Sequence, residues 1–162
     1  MKRLLILLIA TLAFTACSEK EGEVFYTALY PIVQLEVEVT LSAANEEAEA
    51  AIRSRVEADS PILTTGSFRL DFNRFDGGVL YVTREAGDAT LTGSFTKQPA
   101  AREMTFTVEE QSYTVTETAY INESGLECLR FSTDLTDYYR EVLQDETITS
   151  VVRYLYTSHP AY

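Results

Sequence analysis

Strict alternation of apolar and polar residues, repeated in run after run, is the feature that most narrows what this chain can fold into. In IVQLEVEVTL, Val33, Leu35, Val37, Val39 and Leu41 alternate with Gln34, Glu36, Glu38 and Thr40. A period of two over that length places one face on a core and the other in water. Pro31 stands just before the run, where a bend or an edge position tolerates it. From Gly66 the pattern recurs. Phe68, Leu70 and Phe72 alternate with Ser67, Arg69 and Asp71, and FDGG then signals a hairpin leading into VLYVTR. Glu85 to Asp88 turns into ATLTGSF. After KQPAAR, Met104, Phe106 and Val108 alternate with threonines, and Glu110-Gln111 makes a tight turn into SYTVTETAYI. There Tyr113, Val115, Ala119 and Ile121 share a face with Glu117. NESG then turns into LECLRFS. Connections this short imply an antiparallel meander of about six strands.

Two segments switch period. In ANEEAEAAIRSRVEA, Ala44, Ala48, Ile52 and Val56 fall four apart, and Glu46, Glu47 and Glu49 load the first turns, where the helix dipole favours acids. Ser42 or Asn45 is placed to cap it, and Pro61 closes the region. In TDLTDYYREVLQD, Leu135, Tyr138, Tyr139, Val142 and Leu143 form a helical stripe that Thr133 or Asp134 can cap. The final run, ITSVVRYLYTS, is β-branched and aromatic on both parities. That implies cover on both faces, or a second face that meets a helix or a ligand.

The expected architecture is α+β: about eight strands, mainly one antiparallel curved sheet or half-barrel packed on two helices. One helix follows the first strand and the other precedes the last. Pairing of those two distant strands would close a barrel or complete a sheet, and a lipocalin-like barrel or a β-sandwich carrying two helices are the other candidates.

The leader has a different character. Lys2 and Arg3 precede an apolar stretch from Leu4 to Phe14, 11 residues interrupted only by Thr11. That is shorter than the roughly 20 residues a spanning helix needs. Thr15 and Ala16 then lead to Cys17, the anatomy of a secretory signal with a cysteine at its cleavage point. The stretch Phe14-Thr15-Ala16-Cys17 resembles the lipobox of bacterial lipoproteins, with Phe14 in place of the usual Leu. The resemblance covers the leader alone. It implies cleavage before Cys17, a diacylglyceryl group on the Cys17 sulfur and acylation of the new amino terminus. Ser18 rather than Asp after the cysteine resembles outer-membrane sorting. The acidic stretch SEKEGE loosely resembles the surface-export signals of Bacteroidota lipoproteins, although Lys20 interrupts it. The organisation expected is therefore a signal peptide at 1–16, a lipidated Cys17 with an acidic spacer at 17–23, and one domain over 24–162.

Loss of Met1 to Ala16 removes two basic residues and no acid, leaving 146 residues with 11 basic and 25 acidic side chains, a net charge of −14. Such a surface repels nucleic acid and anionic lipid. With Cys17 lipidated, Cys128 in LECLRF has no disulfide partner and reads as a small buried hydrophobe.

Chemistry-bearing constellations are sparse. The single histidine, His159, lies in the tail SHPAY, reads as solvated, and has no GxSxG elbow to serve. HExxH and CxxC spacings are absent, so neither a metal nor another cofactor is expected. Asp71, Asn73 and Asp76 in DFNRFDGG resemble a calcium loop out of register, with Asp76 where glycine is needed, and hairpin chemistry explains them better. Asn122-Glu123-Ser124 fits a glycosylation sequon but sits in a turn signal. Glu117 is the one carboxylate that the pattern pulls inward, and Arg130 is a possible partner for it. Tyrosine is in excess, ten with no tryptophan, and Tyr138, Tyr139, Tyr154 and Tyr156 form a candidate contact surface in the last helix and strand.

These observations lead to one expectation and two alternatives. The expectation is a lipid-anchored, extracytoplasmic, non-catalytic binding or structural protein of the outer membrane. Its partners would be membrane lipid through Cys17 and an envelope protein or glycan. The first alternative is a lipocalin-like or glycan-binding module beside an uptake system. A carboxylate-based hydrolase is the more distant one.

Overall fold

The computed structural model describes residues 22–59, 66–84 and 89–161. The element order is β1 (Tyr26–Leu41), α1 (Glu46–Ala58), β2 (Gly66–Arg74), β3 (Gly77–Thr83), β4 (Leu91–Gln98), β5 (Glu103–Val108), β6 (Gln111–Ile121), β7 (Glu127–Asp134), α2 (Thr136–Leu143) and β8 (Ile148–Pro160). Among the described residues, eight strands and two helices occur in the order the periodicities predict. Each strand pairs antiparallel with the next, and β1 pairs with β8, so the sheet closes into a barrel. The half-barrel and the α+β assignment are thereby corrected: the fold is mainly β and the sheet is a closed barrel.

Closure depends on the length of β1 and on a bulge within it. Tyr26 to Ile32 pair with Phe72 to Gly66 of β2, whereas Ile32 to Leu41 pair with Thr157 to Ile148 of β8. The register slips between Ile32 and Gln34, leaving Val33 unpaired and 61% exposed. The slip reverses the parity of the strand. Ala28 and Tyr30 face inward before it, Val37 and Val39 after it. Val33 therefore does not share the buried face that simple alternation assigned to it.

Connections follow local chemistry. Arg74 pairs with Gly77 around a two-residue loop, Phe75-Asp76. Gly78 is required there because a Cβ would stand 2.0 Å from the Asp71 carbonyl oxygen. Between β5 and β6 the turn is Glu109-Glu110, both at positive φ (50° and 67°), one residue earlier than the sequence suggests. Asn122 organises the next turn, its side-chain oxygen accepting from the backbone N–H groups of Ser124 and Leu126. The 85–88 turn and Pro61 lie outside the described residues. Asn45, rather than Ser42, caps α1 by accepting from the Ala48 N–H at 3.1 Å. In α2, Asp134 accepts from the N–H and hydroxyl of Thr136, and only Thr136 and Tyr139 are buried. Tyr138, Val142 and Leu143 stay exposed, so the stripe read from the sequence is only partly inward.

The interior has two parts. Tyr30, Phe68, Leu70, Phe72, Phe95 and Phe106, with their neighbours, fill the barrel. An eight-stranded barrel has room inside for packed side chains or for one small ligand, and here side chains take it. A second cluster, including Val37, Val39, Ile52, Val56, Tyr139 and Val151, packs α1 and α2 against β1 and β8. Both helices follow strands that run toward the same end, so the two ends of the barrel differ. The opposite end, where β1 begins, carries exposed Val24, Phe25, Tyr26, Phe75, Ile121 and Leu126.

Candidate functional site

Near the helix-bearing end the barrel wall splits. Strand β6 starts at Gln111, yet its first pair with β7 is Thr116 to Ser132. Gln111 to Val115 therefore pair with β5 alone, and Thr133 and Asp134 with β8 alone. Into this divergence opens a cleft of about 1140 Å³. Its walls carry the hydroxyls of Ser112, Thr114, Thr116, Ser132 and Thr133, and the rings of Tyr113, Tyr138 and Tyr139. Arg55, Asp59, Glu103 and Asp134 add charge.

The tyrosines are held in different ways. Tyr139 is buried beneath α2 and donates to the Asp59 carboxylate at 3.3 Å, so the ends of the two helices are tied together. Tyr138 packs edge-on against Tyr139, 5.0 Å between centroids, and is otherwise free to meet a ligand. Tyr113 donates to the side-chain oxygen of Gln111. Of the four tyrosines proposed from sequence, only Tyr138 and Tyr139 reach this cleft. Tyr154 and Tyr156 lie on the outer face of β8, donating to Glu38 at 3.0 Å and Glu36 at 2.8 Å. The Arg130 guanidinium sits over both rings.

Two of the three carboxylates lining the cleft have structural tasks. Asp59 accepts from Tyr139 and from Arg55, and Asp134 accepts from Thr136 at the start of α2. Glu117 does point into the barrel, but its partner is Lys97, 3.2 Å away, not Arg130. Arg130 donates instead to the Thr118 hydroxyl. His159 is not a solvated tail residue: it belongs to β8 and stacks on Tyr30 at 4.5 Å. Cys128 is a buried free thiol, as its surroundings in the sequence suggest, and receives the Asn122 amide at 3.4 Å. Asp71 binds Thr27 and Arg69, and no group of three or more acidic, histidine or cysteine side chains among the described residues is arranged to hold a metal ion.

Arg153 is the residue that the sequence reading passed over. It lies on the inward parity of β8 with Val151, Leu155 and Thr157, and only 2% of its surface is exposed. Among the described residues its Nε and Nη1 have no hydrogen-bond partner and no carboxylate pairs with it. Burial pushes its pKa down to about 10, with the nearby phenols of Tyr139 and Tyr113 opposing the shift. An unpaired cation at this depth costs on the order of several kcal/mol. The signal in the sequence was one arginine in phase with buried aliphatic residues.

Alkaline titration has a defined sign. Burial, then the Asp59 carboxylate and the hydrogen bond to it, raise the Tyr139 phenol to about 12. Burial also raises Tyr30, with Glu117 adding to it. Both phenols keep their protons in the folded state after unfolded tyrosine has lost its own. Their contribution to stability is therefore complete below about pH 10 and is lost as pH rises through the folded values. Arg153 works oppositely, its burial penalty being relieved above about pH 10. Ultraviolet titration is expected to show tyrosines that ionise only as the protein unfolds, and Tyr139→Phe should flatten the alkaline loss of stability. A Tyr139→Phe profile superimposable on the parent's would contradict this.

Comparison with protein-family models, curated proteins and solved structures finds no match to this chain.

Proposed function

We propose that this protein is a lipid-anchored, extracytoplasmic, non-catalytic module that binds a polar ligand in the cleft between β6, β7 and α2. The cleft carries the reading. Its size suits a small molecule or a short glycan, and its hydroxyls and tyrosine faces suit a hydrogen-bonding, partly planar one. The barrel centre is filled by aromatic side chains. Such a ligand therefore enters through the split wall, unlike one held in a central calyx. The fold is compatible with the lipocalin-like alternative in this modified form, and an uptake complex is one setting in which such a module would work.

The anchor rests on the leader, and the two ends of the barrel agree with it. Cys17 to Glu23 span at most about 25 Å when extended, so a lipid on Cys17 holds the β1 end close to a bilayer. That end bears the exposed Phe25, Phe75, Ile121 and Leu126, a rim suited to contact with an apolar phase. The cleft then opens in the half of the barrel away from the membrane.

The test is a glycan and small-molecule screen on the purified domain, repeated with Tyr138→Ser. Tyr138 is 56% exposed, so the variant should keep its thermal midpoint while affinity falls tenfold or more. Affinity unchanged in Tyr138→Ser would move the site elsewhere. Turnover of a model glycoside would overturn the non-catalytic assignment.

A further inference from the structure

Beside the cleft, on the wall formed by β7 and β8, lies one buried charged side chain with unpartnered nitrogens. We infer that Arg153, with Tyr113 and Tyr139 beside it, receives the carboxylate of a hydroxylated organic acid of the uronic-acid type. The inference rests on the binding role proposed for the cleft and specifies its ligand class.

Three observations converge on it. Arg153 is nearly fully buried, and two of its nitrogens lack partners among the described residues, which is rare in a folded protein's interior and calls for an explanation. Its position ties it to the cleft: its register partner on β7 is Thr133, a cleft-lining residue. The two phenols that interact with its charge, Tyr139 and Tyr113, line the same cleft. Arg153 thus sits on β8 opposite the stretch of β7 that has parted from β6.

Chemistry narrows the ligand. A guanidinium offers parallel N–H donors in a fixed fork that matches a carboxylate, and the pairing is strongest where water is excluded. A cation has no use for a neutral apolar ligand, and Arg153 would repel a cationic one. The remaining wall holds the carboxylates of Asp59 and Asp134, already engaged by Arg55, Tyr139 and Thr136, the carboxylate of Glu103, and hydroxyls at Ser112, Thr114, Thr116 and Ser132, which suit a partner bearing several hydroxyls of its own. A hydroxylated acid meets both requirements. The bound carboxylate would supply the charge that the folded protein lacks around Arg153, so ligand binding and stability are linked.

The experiment uses the mature domain with D-glucuronate and D-galacturonate, against D-glucose and D-galactose as neutral counterparts and inorganic phosphate as a competing anion. Binding is read from the Arg153 Nε–Hε resonance and by calorimetry. The uronates should shift that resonance and bind at least tenfold more tightly than either neutral sugar or phosphate. Arg153→Met should abolish the preference while raising the thermal midpoint of the ligand-free protein, because it removes an unpaired buried charge. Arg153→Lys keeps the charge without the fork and should retain weak binding only.

Equal affinity for sugars and uronates, with Tyr138→Ser still weakening both, would overturn this inference and leave the binding role intact. Tighter binding of phosphate would overturn the carboxylate assignment. An Arg153 resonance unmoved by every probe, or an Arg153→Met variant less stable than its parent, would mark Arg153 as structural and end the proposal.

Discussion

Cys17→Ala is expected to abolish incorporation of a labelled fatty acid and to move the protein from the membrane pellet to the soluble extracytoplasmic fraction. The loss of label should be close to all-or-none. Each buried methylene of an acyl chain contributes about 0.8 kcal/mol, so two or three chains hold a protein at a bilayer without help from the fold. The rim of Phe25, Phe75, Ile121 and Leu126 adds scattered side chains, not a continuous apolar surface, and cannot replace that anchor. The label separates anchoring from simple failure of processing, since an uncleaved leader could keep unlabelled protein in the pellet. Fatty acid still attached to Cys17→Ala would refute the assignment of the lipidation site, and label absent from the parent would remove the anchor altogether.

Strands and helices were legible because their signals are local. Phe68, Leu70 and Phe72 face inward as alternation requires, and Asn45 caps α1 from a position visible in the sequence. Closure was less accessible, because it depends on β1 meeting β8 across more than a hundred residues and on a bulge at Val33 that periodicity does not announce. The α2 stripe misled for a related reason. Leu143 and Val142 follow helical spacing, but α2 is short and lies over the end of a barrel, where there is area to cover only Thr136 and Tyr139.

The candidate site was legible in fragments. Tyrosine excess pointed to Tyr138 and Tyr139, while the same argument swept in Tyr154 and Tyr156, whose hydroxyls are engaged by Glu38 and Glu36 on the outer wall. Glu117 was recognised as inward, but its partner Lys97 comes from β4 and is 20 residues away. The cleft itself arises from two strands that part company before their ends. No single segment encodes that divergence: it follows from the register of β6 on β5 and of β7 on β8. Arg153 gained its meaning only once the barrel had closed around it.

Phe68→Ala is expected to be the most damaging single truncation in the barrel. Phe68 is fully buried, stacks on Tyr30 at 4.7 Å, meets Phe131 edge-on at 5.1 Å and contacts Phe106 at 5.6 Å. Its removal forfeits the transfer energy of the ring and leaves a cavity that rigid strands cannot collapse, a loss of about 3–5 kcal/mol. For a domain of this size that corresponds to a fall of roughly 10 °C in thermal midpoint. Phe75→Ala provides the control: the ring is 91% exposed at the β2–β3 loop, and the change should stay within about 0.5 kcal/mol. The pair also bears on function. A filled interior is what would direct a ligand to the split wall, so the parent should not bind small apolar probes at the barrel centre, whereas the Phe68→Ala cavity should admit benzene-sized ones. A loss below about 1 kcal/mol, or apolar probes bound equally by parent and variant, would mean that the centre is open. The ligand would then have to be sought along the barrel axis instead of beside Arg153.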